Sequence, residues 1–223
     1  MLFQTLHMPR PPRKLLLEDG SYFHITWKCH NNEFLLADEK IKEKLYSLLL
    51  KYKHRFSIKI YGYCFMNNHP HLVGSCQTVE NLSRFFQCVN SQLAMFVNRF
   101  HGRRGQVIMD RFHSCRIENE RYLLTALRYI DRNPVRAGIC NHPQNYRWSS
   151  FHHYSARKKD PLIDPLPCPL SQQQYLELHE LVDDLKKMGP VLNKIYFWGS
   201  SQWIEEKRKE FTSKWQKTCA RGS

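Results

Sequence analysis

Met66-Asn67-Asn68-His69-Pro70-His71-Leu72-Val73 places two imidazoles two residues apart at the start of a run that reads as a strand. Alternate strand residues point to one face, so His69 and His71 can converge on a single cation. Residues 56–65 alternate as a preceding strand and Asn67-Asn68 supplies a tight connection, which makes the whole a hairpin with its histidines near the turn. Proline has no N–H to give a ladder, so residue 70 has to sit at an edge, a bulge or an unpaired position.

Working outward, residues 21–28 are rich in aromatic and branched side chains and read as a first strand, with Asn31-Asn32 turning the chain. Asp38 caps a helix to about residue 53, where Ile41, Leu45, Leu48, Leu49 and Tyr52 recur at helical spacing. Beyond the hairpin, Thr78 or Glu80 opens a long helix through residue 100, with Leu82, Phe85, Phe86, Val89, Leu93, Phe96 and Val97 on one face and Gly102 at its end. Residues 106–117 return as a strand with Asp110-Arg111 as a bend, and Asn119 caps a helix that Pro134 stops. The order β-α-β-β-α-β-α is the split βαβ pattern of an α+β, ferredoxin-like domain with one additional helix. Residues 160–170 read as a proline-rich linker, which divides the chain into a main domain at 1–159 and a helical C-terminal extension at 171–223. Within the extension, one helix is expected over 171–188 and a basic one from Ser200 or Ser201 to residue 215.

The fourth-strand helix carries the other half of the chemistry. Tyr129 and Asn133 stand four residues apart, hence on one helical face. Brought to the hairpin, they give a cation held by His69, His71 and Asn133 beside a tyrosine hydroxyl able to act as a nucleophile. Tyr122 is a similar phenol one heptad earlier, but it lacks the amide one turn on. A free tyrosine has a pKa near ~10, so the cation or a basic neighbour such as Arg128 or Arg132 has to help ionise it.

A formal net charge of +14, from 34 Lys and Arg against 20 Asp and Glu in 223 residues, predicts attraction to polyanions, with nucleic acid the leading partner. Candidate phosphate contacts are Arg10, Arg13 and Lys14 on a proline-stiffened arm at residues 8–14. Arg103, Arg104, Arg111 and Arg116 stand around the fourth strand, and Arg132 and Arg136 beside the tyrosine. Tyr146 and Trp148 could stack on unpaired bases, although Trp148 within Trp-Ser-Ser reads more as a core plug. No stretch approaches the ~20 apolar residues that span a bilayer. Residues 1–7 lack the basic start and long apolar run of a signal peptide, with Met8 as an alternative start, so a cytoplasmic protein is expected. The eight cysteines stand singly and are expected reduced and buried; a zinc set of Cys64, His69, His71 and Cys76 would lack knuckle spacing.

These motifs resemble those of the single-tyrosine HUH transposases, most closely the REP-associated tyrosine transposases, over roughly residues 8–154. The resemblance is carried by Met8-Pro9-Arg10, Tyr22-Phe23-His24-Ile25-Thr26, the stretch from Met66 to Val73, Arg111-Phe112, Tyr122-Leu123-Leu124, the run from Tyr129 through Asn133-Pro134-Val135-Arg136-Ala137-Gly138, and Trp148-Ser149-Ser150. It implies a ferredoxin-like HUH nuclease fold in a prokaryotic, nucleoid-associated protein, monomeric or homodimeric. It also implies a single-stranded or hairpin DNA substrate such as repetitive palindromic elements, Mg2+ or Mn2+ at His69 and His71 with Asn133 as third ligand, and Tyr129 as nucleophile. Two departures are Asn67 in place of the usual proline and Pro70 in place of a bulky apolar residue. A non-catalytic DNA-binding repressor on the same scaffold stays open as a second reading. An RNA-binding ferredoxin-like module is a third, though no Arg-Gly-Phe-type strand motif is present.

Overall fold

The computed structural model describes residues 12–156, 158–180 and 196–220. Arg10, the rest of the arm before Pro12 and the expected helix beyond Glu180 lie outside the described residues. Strands β1 (Tyr22–Thr26), β2 (Ile58–Phe65), β3 (Pro70–Cys76), β4 (His113–Ile117) and β5 (Phe197–Trp198) form one sheet in the order β2-β3-β1-β4-β5. The first four pair antiparallel and β5 joins β4 in parallel. Helices α1 (Glu39–Lys53), α2 (Val79–Phe100) and α3 (Glu120–Asp131) fall between and after the strands as the sequence pattern expects.

Each long helix starts at the cap its sequence offers. Asp38 accepts from the Lys40 amide (2.8 Å), Thr78 from Asn81 (3.1 Å) and Asn119 from Tyr122 (3.3 Å), each satisfying an N–H that has no intrahelical partner. Pro134 does not end helical structure. It opens a further turn, α4 (Asn133–Arg136), where the missing N–H costs nothing.

Pro70 is the first residue of β3, opposite Phe65, whose own N–H turns away to the Trp148 carbonyl (2.9 Å). Pairing with β1 ends at Thr26 and His71, so proline interrupts no ladder bond. Register places His71, Val73 and His24 on one sheet face, with Gly62 opposite Val73. A Cβ on Gly62 would lie 2.3 Å from Leu127 Cδ2 and 3.2 Å from Ile130 Cδ1. Glycine here lets α3 settle closely onto that face, and so brings Tyr129 over the histidines. The alternating Phe23, Ile25 and Leu72 join the core to which α1 and α2 contribute Leu45, Leu48, Leu49, Phe85, Phe86 and Val89.

Three stretches differ from expectation. Residues 106–112 are loop rather than strand, with an isolated bridge between Ile108 and Cys29, where the Met109 N–H donates to the Lys28 carbonyl (2.9 Å) and the His30 N–H to the Val107 carbonyl (2.8 Å). Arg13 is not part of a free arm: it lies in a 3-10 turn (Arg13–Leu15) with its Cζ 3.5 Å from the Phe112 ring centre. Residues 160–164, expected as the start of a linker, are packed along the β2 edge. Asp160 accepts from the Tyr46 and Tyr63 hydroxyls (2.6 and 2.8 Å), Leu162 is fully buried, and buried Lys53 donates to Asp164 (2.9 Å) and to the Leu162 carbonyl. A buried ammonium needs such a full set of acceptors to offset its desolvation.

The C-terminal segment then returns with α6 (Gln172–Glu180), β5 and α7 (Ser201–Ala220), after the short α5 (Phe151–Ser155). β5 is held by Arg116 N–H to the Tyr196 carbonyl (2.8 Å) and Glu118 N–H to Trp198 (3.0 Å). The Glu118 carboxylate accepts from both the amide and hydroxyl of Ser200, so α7 runs from an anchored start.

Candidate active site

The sheet face under α3 gathers three histidines and a tyrosine. His71, on β3, shares a 2.8 Å hydrogen bond between its Nδ1 and His24 Nε2 on β1, and the two rings stack with centroids 5.1 Å apart. His69 lies just before β3, its ring perpendicular to that of His71 at 4.8 Å. Tyr129 presents its ring edge-on to both His24 (5.9 Å) and His71 (6.0 Å), and only 4% of it is exposed. Trp198 from β5 closes the far side, 5.7 Å from Tyr129 and 6.1 Å from His24.

The hydrogen bond between the two buried rings couples their tautomers, since one nitrogen must donate and the other accept. If His71 donates from Nδ1 to His24, its Nε2 carries a lone pair, and that Nε2 is buried with no hydrogen-bond partner. This is the disposition of a metal-binding imidazole oriented from behind by a second group. His69 is oriented similarly, with Nδ1 on Asn68 Oδ1 (2.5 Å). Neutral imidazoles held this way are the donor type a divalent cation takes. The amide fits less freely, since Asn133 Oδ1 already accepts from Arg136 Nη2 (2.8 Å) and a cation there would share the oxygen with a guanidinium. Among the described residues no group of three or more His, Cys, Asp or Glu side chains is arranged to hold a metal, so Cys64 and Cys76 do not complete a zinc set with the histidines.

Arg136, rather than Arg128 or Arg132, is the basic neighbour of the phenol. Its Cζ stands 4.2 Å from the Tyr129 ring centre and it donates to the Tyr129 carbonyl (2.5 Å), whereas Arg132 donates to the His179 carbonyl (2.8 Å). Burial raises the Tyr129 hydroxyl above its usual range, while Arg136, and then Asn133, pull in the opposite direction. Two residues on, fully buried Asp131 accepts from Ser150 Oγ (3.1 Å) and the Tyr175 hydroxyl, and burial pushes its carboxyl up to about 7. Tyr175 belongs to α6, so the C-terminal segment braces the tyrosine-bearing helix.

The candidate phosphate contacts are dispersed. Lys14, Arg104 and Arg111 are exposed. Arg103 pairs with Glu33 (2.9 Å) and Arg116 with Glu18 (2.6 Å). Burial and nearby Arg111 push the Arg13 guanidinium down to about 10, which leaves it charged at neutral pH. Tyr146 is a buried plug rather than a stacking face, its hydroxyl donating to the Phe65 carbonyl (2.5 Å), and Trp148 is the core plug its setting suggests, its indole donating to the Glu39 carboxylate (2.8 Å).

Sequence reasoning missed His24 and Trp198. An imidazole among the apolar residues of a strand expected to pair beside the His71 strand was the available signal for His24. Trp198 gave none, since a two-residue strand has no periodicity.

Buried histidines carry a pH signature. Burial pushes His24 and His179 down to about 3 and His69 to about 4, against 6.5 for a free imidazole. Between these values the unfolded chain binds more protons, so stability present above the free-imidazole pKa is lost as pH falls toward the folded values. Urea midpoints should fall from about pH 7 to about pH 4, the several buried imidazoles outweighing Asp131, whose raised carboxyl acts in the opposite direction over the same range; a flat profile would contradict the burial of neutral rings.

No curated protein matches the chain. A solved structure of a REP-associated tyrosine transposase bound to a REP hairpin superposes with a TM-score of 0.57 at 18% identity, covering 74% of this chain and 93% of that one. At that identity the likeness establishes a shared α+β fold. Residues 19–133, more than half of the 223, match the family described as "Transposase IS200 like". On the strength of that match, with the sheet and helix order found here, the chain belongs to the IS200-like transposase family.

Proposed function

We propose that this transposase cleaves and rejoins single-stranded DNA at hairpins by transesterification at Tyr129. The observation that carries this is the packing of the Tyr129 ring against His24 and His71 within one chain. The Tyr129 oxygen attacks the scissile phosphorus, the bond to the 3′ oxygen breaks, and that oxygen leaves as a 3′-hydroxyl after taking up a proton. The downstream fragment stays on the protein, joined through its 5′-phosphate as a phosphotyrosine, and the phenol's proton is given up in the attack. Because the phosphodiester energy is conserved, another 3′-hydroxyl can reverse the step and join strands without ATP.

His69 and His71, with Asn133, would hold Mg2+ or Mn2+. When bound, such an ion supplies positive charge to a non-bridging oxygen of the scissile phosphate. His24 keeps His71 in its tautomer, and Arg136 opposes the effect of burial on the phenol. Lys14 and Arg104 are exposed members of the phosphate-contact set, while Arg13, Arg103, Arg116, Arg132 and Arg136 are held by internal partners that DNA would have to share. Hairpin DNA as the partner is supported by the likeness to a hairpin-bound transposase and by the +14 charge. No helix among the described residues is long and apolar enough to cross a membrane.

The test is incubation of the protein with end-labelled hairpin DNA bearing single-stranded flanks, with Mg2+ or Mn2+, following binding and cleavage separately. Affinity should fall by roughly 0.7 log units per decade of salt for each phosphate neutralised, and flanks should be cut. Retained binding with no cleavage under either metal would favour a non-catalytic repressor. The near-complete burial of Tyr129 and the Asn133 to Arg136 bond are the observations on that side. Equal competition by hairpin RNA would remove the DNA assignment.

A further inference from the structure

Phe34 is 69% exposed, more than any other large apolar side chain among the described residues. A single exposed apolar residue is ordinary on a protein surface. What sets Phe34 apart is the rigidity and position of its loop. The Cys29 amide donates to the Asn68 carbonyl (2.8 Å), the Leu36 amide to the Asn67 carbonyl (2.9 Å), and Asn68 Nδ2 to the Asn32 carbonyl (3.3 Å). The loop is thus fastened from both ends to the turn that presents His69. On its other flank, the His30 amide donates to the Val107 carbonyl (2.8 Å), and Glu33, next to Phe34, pairs with Arg103 (2.9 Å). Asn31 and Asn32 both adopt left-handed backbone, φ 51° and 57°, a conformation asparagine tolerates better than most residues. Backbone of this kind persists where its surroundings hold it, and these bonds fix the loop in the conformation that presents the ring to solvent.

We infer that Phe34 is a stacking platform for an unpaired base of the strand that runs past His69, an inference resting on the DNA reading above. An unpaired nucleotide offers an apolar face and an anionic backbone. An exposed ring on a loop to which Arg103 is tied through Glu33, the residue before Phe34, with exposed Arg104 next to Arg103 in sequence, supplies both complements. The basic setting favours a nucleotide over a second copy of this basic chain, which would bring like charge to the same place. The subsite accepts any base, since every base has a stackable face, and discriminates unpaired from paired strand.

The experiment compares wild type, Phe34→Ala, Phe34→Trp and, as a control on α2, Met95→Ala, which removes an apolar side chain of similar exposure (64%). Probes are a blunt DNA hairpin and the same hairpin with a single-stranded flank carrying 2-aminopurine at successive positions. Phe34→Ala should weaken the flanked hairpin by about 5- to 150-fold and leave the blunt one unchanged, as expected for one stacked base. Phe34→Trp should restore affinity, and 2-aminopurine at one flank position should be quenched by wild type and not by Phe34→Ala. Equal affinity of Phe34→Ala and wild type for the flanked probe overturns the inference, as does equal loss on both probes. A concentration-dependent dimer in sedimentation that Phe34→Ala abolishes, with DNA binding intact, would assign the ring to self-association instead. Should wild type bind neither probe, the DNA reading itself fails, which is a distinct result.

Discussion

Tyr129→Phe is expected to abolish covalent capture of DNA, lowering adduct formation by on the order of a thousandfold or more, while leaving fold and hairpin affinity close to wild type. The substitution removes one oxygen. The ring that packs against His24, His71 and Trp198 stays, so the thermal midpoint should move little. Tyr122→Phe should behave as wild type, because that side chain is half-buried and outside the histidine cluster. A denaturing gel separates the outcomes: a protein-linked band carrying the 5′ end of the downstream fragment in wild type and Tyr122→Phe, and none in Tyr129→Phe. Persistence of that band in Tyr129→Phe would remove the nucleophile assignment.

The second large effect is expected at His71. His71→Ala should reduce cleavage supported by Mg2+ or Mn2+ by at least about a hundredfold, with hairpin binding retained, since phosphate contacts carry most of the affinity. It should also cost about 1–3 kcal/mol of stability, because His24 Nε2 is left buried without its partner. His24→Ala should be milder for chemistry, shifting the metal requirement by about 10- to 100-fold, as befits a group that orients a ligand. Titration of cleavage against Mn2+ for wild type, the single variants and a His69→Ala, His71→Ala double variant checks the order. Cleavage that survives the double variant would exclude the histidines from the reaction.

The fold was legible where local chemistry decides it. Asp38, Thr78 and Asn119 announce helix starts because only an oxygen-bearing side chain satisfies the first amides. Pro70 likewise restricted its own position to one that needs no ladder donor, and it opens β3. What stayed hidden depends on distant partners. Tyr196 and Trp198 acquire strand pairing only because β4 offers a free edge with Arg116 and Glu118 N–H groups. Asp160 and Asp164, within a proline-rich run that reads as a linker, are anchored by Tyr46, Tyr63 and Lys53 from more than a hundred residues away or nearly so. Basic residues show the same limit. Arg103 and Lys14 look alike in sequence, yet only tertiary contact tells that the first is paired with Glu33 while the second faces solvent. For the site, His69, His71, Tyr129 and Asn133 could be singled out from spacing together with the resemblance; the structure packs the Tyr129 ring against His71 and the His69 ring against His71, and gives Asn133 Oδ1 to Arg136. The ring that orients His71 and the indole that covers Tyr129 come from other strands and carry no spacing signal.

Mass spectrometry of the trapped adduct tests the central claim most directly. After nuclease digestion of the bound DNA, trypsin cuts after Arg128 and Arg132, releasing residues 129–132, a peptide in which Tyr129 is the sole hydroxyl-bearing side chain; Tyr122 lies in the separate peptide 122–128. The account predicts a 5′-linked nucleotide on peptide 129–132. A nucleotide on peptide 122–128, or cleaved DNA with a free 5′-phosphate and no modified peptide, would contradict it.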